Sequence, residues 1–330
     1  MNDFKLTIAI PTYNRADLLR KALDSILTQT KEFNNVDIFV SDNASEDNTH
    51  QIIRPMLQES NLIKYSRNTT NLGIDGNVVK CVENSFGDYI FFLSDDDIVL
   101  PGTLKHIMKL IENHRPTMIC LSHYGFEGDD YLTKTKVFFP EEDKFYENGK
   151  DFFLYAGLGF LSSLIVRTSC ARQFLKHVRI GKCCAHLDIV SRVSLKMKGP
   201  FIFLGTRPIA ARVPTKIPQG HDLLLNGFIY VNQLYRDLQK ENLLSEDIVN
   251  TRERSLIKSL IPKTILNQIV MGDYKRIYSQ RQLVKDEMSS YWEFYIYVYP
   301  LFFIPRILLI LPYKFTRYII VSLRHYRLRK

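Results

Sequence analysis

Through its first hundred positions the chain alternates short, continuously apolar runs with longer stretches whose apolar residues recur every three to four positions. Leu6 to Ile10, Val36 to Val40, Ile63 to Ser66 and Tyr89 to Leu93 read as strands. Asp17 to Leu27, Thr49 to Glu59 and Gly76 to Asn84 carry the helical period. Such alternation predicts an α/β fold, a mostly parallel sheet flanked by helices in the Rossmann manner. Strand patterns return at Met118 to Ser122, Leu161 to Val166 and Phe201 to Leu204, with irregular joins and a polar loop near Glu127 to Asp130. Beyond about Pro218 the pattern turns mostly helical, with His221 to Glu241, Glu246 to Leu260 and Thr264 to Gln282 as predicted helices. The expected division is an α/β domain over residues 1–217, in halves 1–115 and 116–217, then a helical region over 218–330.

The polar segments of the first half all follow strands: "PTYNR" (11–15), "SDNASED" (41–47), "RNTTNLG" (67–73) and "SDDD" (94–97). In open parallel sheets ligands bind outside the carboxyl ends of the strands, so these loops share one rim. Asp95, Asp96 and Asp97 need compensation there, since like charges about 5 Å apart repel by roughly 3 kcal/mol at an effective dielectric near 20. Solvent at an Asp-rich turn would provide it. So would Mg²⁺ or Mn²⁺, which favour carboxylate oxygen and keep places for phosphates. The unbroken apolar run before the triplet is that of a buried central strand, and the neighbouring Asn, Asp and Ser loops suit a ribose, a base and a diphosphate. Both features favour the cation.

In order and spacing, "TIAIPTYNR", "VSDNASEDNT", "NLGIDGN" and "FGDYIFFLSDDDIVLP" resemble the nucleotide-binding half of family 2 glycosyltransferases with the GT-A fold. The resemblance covers residues 5 to about 115 and continues weakly to about 215; "LSDDD" is similar to the abequosyltransferase-like subgroup. It implies that Pro11, Tyr13, Asn14 and Arg15 border the nucleotide, that Asp42 receives the base, and that Asn71, Gly73 and Asn77 line the diphosphate side. Turn chemistry would also account for Pro11 and Gly73, and an Asx turn for Asp42. The family's metal motif, Asp-x-Asp-Asp, sets Ser94 where its first Asp stands. Either Asp95 takes that position with Asp97 as partner, or Ser94 contacts ribose and Asp96 holds the metal. Gapless matching through Pro101 favours Asp96 as main ligand, supported by Asp95 and Asp97.

An inverting transfer needs a group to take the acceptor hydroxyl's proton. In many members this is the Asp of a Glu-Asp pair six residues before an Arg. In "KCCAHLDIVSRV" (182–193), counting back from Arg192 lands on His186, with Ala185 in the Glu position and Asp188 two residues further on. Position favours His186, an imidazole able to accept a proton near neutrality; Asp188 is the alternative. His221 in "PQGHDLL" reads better as a helix entry than as a metal ligand.

The formal charge is +9, and residues 291–330 hold seven Lys or Arg against the single acid Glu293, which is +6 of the total. With the remainder nearly neutral, a general nucleic-acid surface is excluded. The tail's tyrosines, Trp292, and the bases Lys314, Arg317 and Arg324 predict a basic amphipathic anchor from about residue 291, lying in the anionic inner leaflet. Pro300, Pro305 and Arg306 argue against a straight span. Five cysteines without a C-x-x-C pair fit a reducing compartment, and the N-terminus lacks signal-peptide features.

These readings converge on an inverting glycosyltransferase at the cytoplasmic face of the plasma membrane. It would use Mn²⁺ or Mg²⁺ and a nucleotide-sugar donor to extend a lipid-linked glycan in surface polysaccharide synthesis, O-antigen or capsule. A metal-dependent nucleotide-sugar phosphodiesterase or pyrophosphorylase, and a membrane scaffold with a degenerate nucleotide site, are the rival classes. An oxidoreductase is disfavoured because no G-x-G-x-x-G follows the first strand. Oligomeric state stays open, a homo-oligomer included.

Overall fold

The computed structural model describes residues 4–137, 142–182, 184–213, 224–271 and 274–303. The chain forms two compact units, Met1–Gln219 and Gly220–Lys330.

In the first unit the early apolar runs are strands β1 (Leu6–Thr12), β2 (Val36–Asp42), β3 (Ile63–Arg67) and β4 (Tyr89–Phe92), all parallel. Helices α1 (Ala16–Thr30), α2 (Thr49–Glu59) and α3 (Gly73–Asn84) connect them. α1 shows why the period matters: Leu19, Ala22, Leu23 and Ile26 are buried, and three of them pack with Ile8, Ile10, Val36 and Val40 in one core. Each such Leu or Ile contributes about 1.5–3 kcal/mol through burial.

After β4 come a two-residue strand β5 (Ile98–Val99), α4 (Thr103–His114) and β6 (Met118–Phe126), then short strands β7 (Lys136–Val137) and β8 (Lys144–Tyr146). α5 (Gly149–Ala156), β9 (Leu164–Arg167), α6 (Thr168–Gln173), α7 (Ala185–Lys196) and β10 (Phe201–Arg212) complete the unit. The sheet runs β3, β2, β1, β4, β9, β6, β10, β5, with β7 on β6 and β8 on β10. β9 is antiparallel to both β4 and β6. At Gly149 an added Cβ would overlap the Ser194 carbonyl of α7, so α5 and α7 meet there through backbone.

Two differences from the sequence reading have local causes. α4 was not predicted, although Leu104, Ile107, Met108 and Ile111 form its buried stripe. β10 runs eight residues beyond the predicted end at Leu204, because its register shifts between Leu204 and Ile209 and the strand passes Gly205 and Pro208 as an irregularity. The antiparallel pairing of Ile209 and Ala210 with β5 brings Arg212 beside Asp97.

The second unit is helical: α8 (Tyr230–Lys240), α9 (Glu246–Lys258), α10 (Leu260–Met271), α11 (Tyr274–Ser279), α12 (Arg281–Met288) and α13 (Trp292–Tyr297). Ile257, Ile261, Ile265 and Ile269, four residues apart, form a buried stripe continued by Val284, Met288 and Phe294. Arg236 ties α9 to α12 through Glu253 and Glu287, at 2.7 Å each. No helix among the described residues is long and apolar enough to cross a membrane. His221 and the basic residues from Arg306 onward lie outside the described residues.

Candidate active site

Three neighbouring parallel strands end in register at Thr12, Asp42 and Arg67. Over this edge the chain leaving β4 folds its aspartates. Asp95, 4% exposed, accepts from Thr12 Oγ1 at 2.8 Å and from Arg15 Nη1 at 3.0 Å. Asp96, the most accessible of the three, accepts from the same Arg15 nitrogen at 3.0 Å and from Ser94 Oγ at 2.7 Å. Asp97, 2% exposed, turns to other partners: Ser162 Oγ donates at 2.6 Å and the Arg212 backbone N–H at 2.9 Å. Ser162 Oγ also accepts from the Ser94 N–H at 2.8 Å, which fixes the turn.

The electrostatics follow from this burial. Burial pushes the Asp95 carboxyl up to about 6, Arg15 opposing and Asp96 adding to the rise. Asp97 rises to about 8 through burial and the neighbouring Asp96, with Ser162 and the Arg212 N–H opposing.

The implied divalent cation can be tested against this donor set. No group of three or more His, Cys, Asp or Glu among the described residues is arranged to hold a metal. Asp95 and Asp96 do converge on one positively charged nitrogen, and Mg²⁺ is commonly held by one or two protein carboxylates plus phosphates and waters. Those two therefore fit such an ion. Asp97, expected as a supporting ligand, accepts from Ser162 and from the Arg212 N–H and so buttresses the turn that presents Asp96.

Around the triplet the loops are stitched together. Asn14, at φ 53 in the left-handed region that Asn tolerates, receives the Glu46 N–H on its side chain at 2.7 Å and donates its own N–H to Ser45 Oγ at 2.9 Å. Tyr13 is 39% exposed and Pro11 half-buried beside it. Asp42 is fully buried; the Tyr65 hydroxyl and the Ser45 N–H donate to it, and Arg67 lies 3.7 Å away. Its carboxylate accepts from a backbone N–H three residues on, while the start of α2 at Thr49 is held by Asp47 rather than by Asp42. Asn77 is a buried strut, donating to the Ser41 carbonyl at 2.9 Å and accepting from Ser41 Oγ at 2.7 Å. Asn71 holds Asn43 and the Gly73 N–H at 2.7 and 2.8 Å, and Gly73 is exposed at φ 71.

α7 carries the candidate bases. His186, half-buried in its first turn, meets the Gly159 carbonyl at 3.2 Å. A carbonyl only accepts, so Nε2 carries the proton and Nδ1 keeps the lone pair. Burial holds the imidazole below its usual value, so it is neutral at pH 7. Gly159 is three residues from Ser162, a reach of at most about 10 Å, so one short segment touches both the aspartate turn and His186. Asp188 is placed differently. It is fully buried, gripped by Arg179 Nε and Nη2 at 3.0 and 2.9 Å and by the Arg179 N–H at 2.9 Å. Committed in this way to Arg179, it fixes α7.

Sequence reasoning missed Thr12, Arg212 and Asp75. Asp75, 2% exposed on α3, accepts from the Lys182 and Ala185 N–H groups at 2.8 and 2.9 Å and so anchors the start of α7. Arg212 also donates to the Asp96 carbonyl at 3.2 Å. The serines of "GFLSSLIVR" (159–167) read as strand positions able to meet the acceptor; Ser162 lies in a 3-10 turn before β9 and donates to Asp97.

Comparison with known proteins places the chain. Over 106 residues it is 36% identical to the GalNAc(5)-diNAcBac-PP-undecaprenol beta-1,3-glucosyltransferase of Campylobacter jejuni, covering 32% of this chain and 34% of that one. Over 174 residues it is 29% identical to abequosyltransferase RfbV of Salmonella typhimurium, covering 49% and 52%. The match thus spans between a third and about half of these relatives' length. S. aureus TarS residues 1–349 share the fold, with TM-score 0.56, 18% identity, and 78% of this chain and 71% of that chain covered. So does the mannosyltransferase PcManGT from Pyrobaculum calidifontis, solved with GDP-Man and Mn²⁺: TM-score 0.51, 16% identity, 72% and 64% covered. The architecture is that of GT-A neighbours, a mostly parallel sheet flanked by helices. Residues 7–172 match the profile of glycosyl transferase family 2, and the chain belongs to that family.

Proposed function

We propose that this chain is an inverting glycosyltransferase that moves a sugar from a nucleotide-sugar to a hydroxyl of a lipid-linked oligosaccharide in surface polysaccharide synthesis. The observation that carries the reading is the pair Asp95 and Asp96, converging on a single cationic nitrogen at the carboxyl rim of a parallel sheet. The lipid-diphosphate glycan named for the Campylobacter relative and the Mn²⁺ bound in the Pyrobaculum structure support the acceptor and metal classes.

Asp96, with Asp95 behind it, would hold Mn²⁺ or Mg²⁺, which when bound offsets the charge developing on the departing diphosphate. Asp97, Ser162 and Ser94 hold the turn that presents Asp96. Pro11, Tyr13, Asn14 and Arg15 would border the nucleotide, with Asn71 and Gly73 on the diphosphate side. Asp42 and Asn77, both buried, would hold the strand ends beneath these residues in register. His186, neutral and with Nδ1 unprotonated, would take the acceptor hydroxyl's proton as the oxygen attacks the anomeric carbon.

In the second unit Trp292, Tyr295, Ile296, Tyr297 and Phe303 are each 43 to 59% exposed, a concentration of aromatic surface suited to the headgroup level. It supports a peripheral seat on the cytoplasmic leaflet, completed by the basic residues that follow. The test is a transfer assay offering UDP-, GDP-, CDP- and dTDP-sugars with Mn²⁺ and undecaprenyl-diphosphate-linked glycans. Sugar incorporation from one donor sustains the proposal. Acceptor-independent release of nucleotide monophosphate would instead mark a phosphodiesterase.

A further inference from the structure

Three carboxylates sit in consecutive positions, two of them almost fully buried. Arg15 is the cation that makes this tolerable for Asp95 and Asp96. One nitrogen, Nη1, lies 3.0 Å from an oxygen of each. The other nearby guanidinium, of Arg212, is directed to the Asp96 and Gly128 carbonyls and to Asp129. Among the described residues Arg15 uses only Nη1, which leaves Nε and both hydrogens of Nη2 as a fork of three donors. Its side chain is 35% exposed and stands at the residue preceding α1.

We propose that Arg15 is the resident counterion of the donor-free site and competes with the divalent cation for Asp95 and Asp96. A metal arriving alone must expel a guanidinium from the same two carboxylates, and two cations cannot share that position without an anion between them. The donor's diphosphate is such an anion: it ligates the metal on one side and receives the displaced guanidinium fork on the other. Metal and nucleotide therefore bind together, and metal alone binds weakly. The inference rests on the donor-site reading above and adds the order of assembly.

The experiment measures free Mn²⁺ by electron paramagnetic resonance as it titrates the full-length chain, alone and with UDP, GDP, CDP or dTDP. Wild type is expected to bind Mn²⁺ at least tenfold more tightly with one of these nucleotides than without. Arg15→Met should bind Mn²⁺ alone at least tenfold more tightly than wild type, lose most of the nucleotide's enhancement, and melt lower without metal but recover on adding it. Arg15→Gln, which keeps a hydrogen bond without the charge, should behave alike and serves if the Met variant does not fold. Unchanged or weaker Mn²⁺ binding in both variants overturns the counterion role. Asp96→Asn separates the two ideas. If it binds Mn²⁺ and nucleotide as wild type does, the donor-site reading itself fails; if it binds neither while Arg15→Met matches wild type, only the competition fails.

Discussion

Asp188→Asn tests whether the buried carboxylate of α7 is structural or chemical. The substitution keeps the side chain's size and removes its charge. Arg179 then loses the anion it grips through two nitrogens at 2.9 and 3.0 Å, and Asp188 itself is fully buried. Breaking a buried pair by removing one partner costs about 3–5 kcal/mol. The Arg179 side chain is 21% exposed, so water recovers part of this and the lower end, about 3 kcal/mol, applies. For a domain of this size each kcal/mol shifts the melting temperature by about 2–4 °C, giving a fall of about 6–12 °C. Thermal unfolding followed by circular dichroism reads this directly, with transfer kinetics measured well below the transition. The structure predicts the large fall in Tm and a kcat, per folded enzyme, within several-fold of wild type. A Tm within about 2 °C of wild type together with a hundredfold loss of kcat would refute the reasoning and make Asp188 the base.

The neighbouring residue should show the opposite pattern. His186→Gln is expected to leave Tm and nucleotide binding unchanged while kcat falls by about 10²–10⁴. Because burial depresses the imidazole's pKa, the wild-type kcat should be level at pH 7 and fall only below its usual range near 6.5, as protonation removes the lone pair. A variant with the wild-type rate and pH profile would exclude His186. At the other end of the chain, Trp292→Ser combined with Phe303→Ser should reduce co-sedimentation with vesicles of phosphatidylglycerol and phosphatidylethanolamine several-fold, most clearly at high salt where the basic tail is screened. Unchanged sedimentation would mean that this aromatic surface does not meet the bilayer.

The sheet's parallel half was legible because burial on both faces leaves an unmistakable pattern. The runs at Leu6, Val36, Ile63 and Tyr89 begin their strands at the predicted residues. The four polar loops, read as one rim, converge in part through hydrogen bonds from Thr12 to Asp95 and from Asn14 to Ser45. What escaped reading acts across long sequence separations. Ser162 reaches Asp97 over 65 positions, Arg212 over 115, and Asp75 reaches Ala185 over 110. No local periodicity records such pairs. The same limit holds for Asp97 and Asp188: the residue type announced a carboxylate, but only the fold shows its partners, Ser162 and Arg212 for the one and Arg179 for the other. Asp42 follows the pattern, its charge spent on Tyr65, Ser45 and Arg67 inside the sheet edge.

Calorimetric titration of the full-length protein with UDP-, GDP-, CDP- and dTDP-sugars, with and without Mn²⁺, bears on the acidic rim most directly. The account predicts that one nucleotide class binds, that binding needs the metal, and that Asp96→Asn abolishes it while the protein melts as before. Donor binding that is indifferent both to Mn²⁺ and to the loss of the Asp96 charge would contradict it.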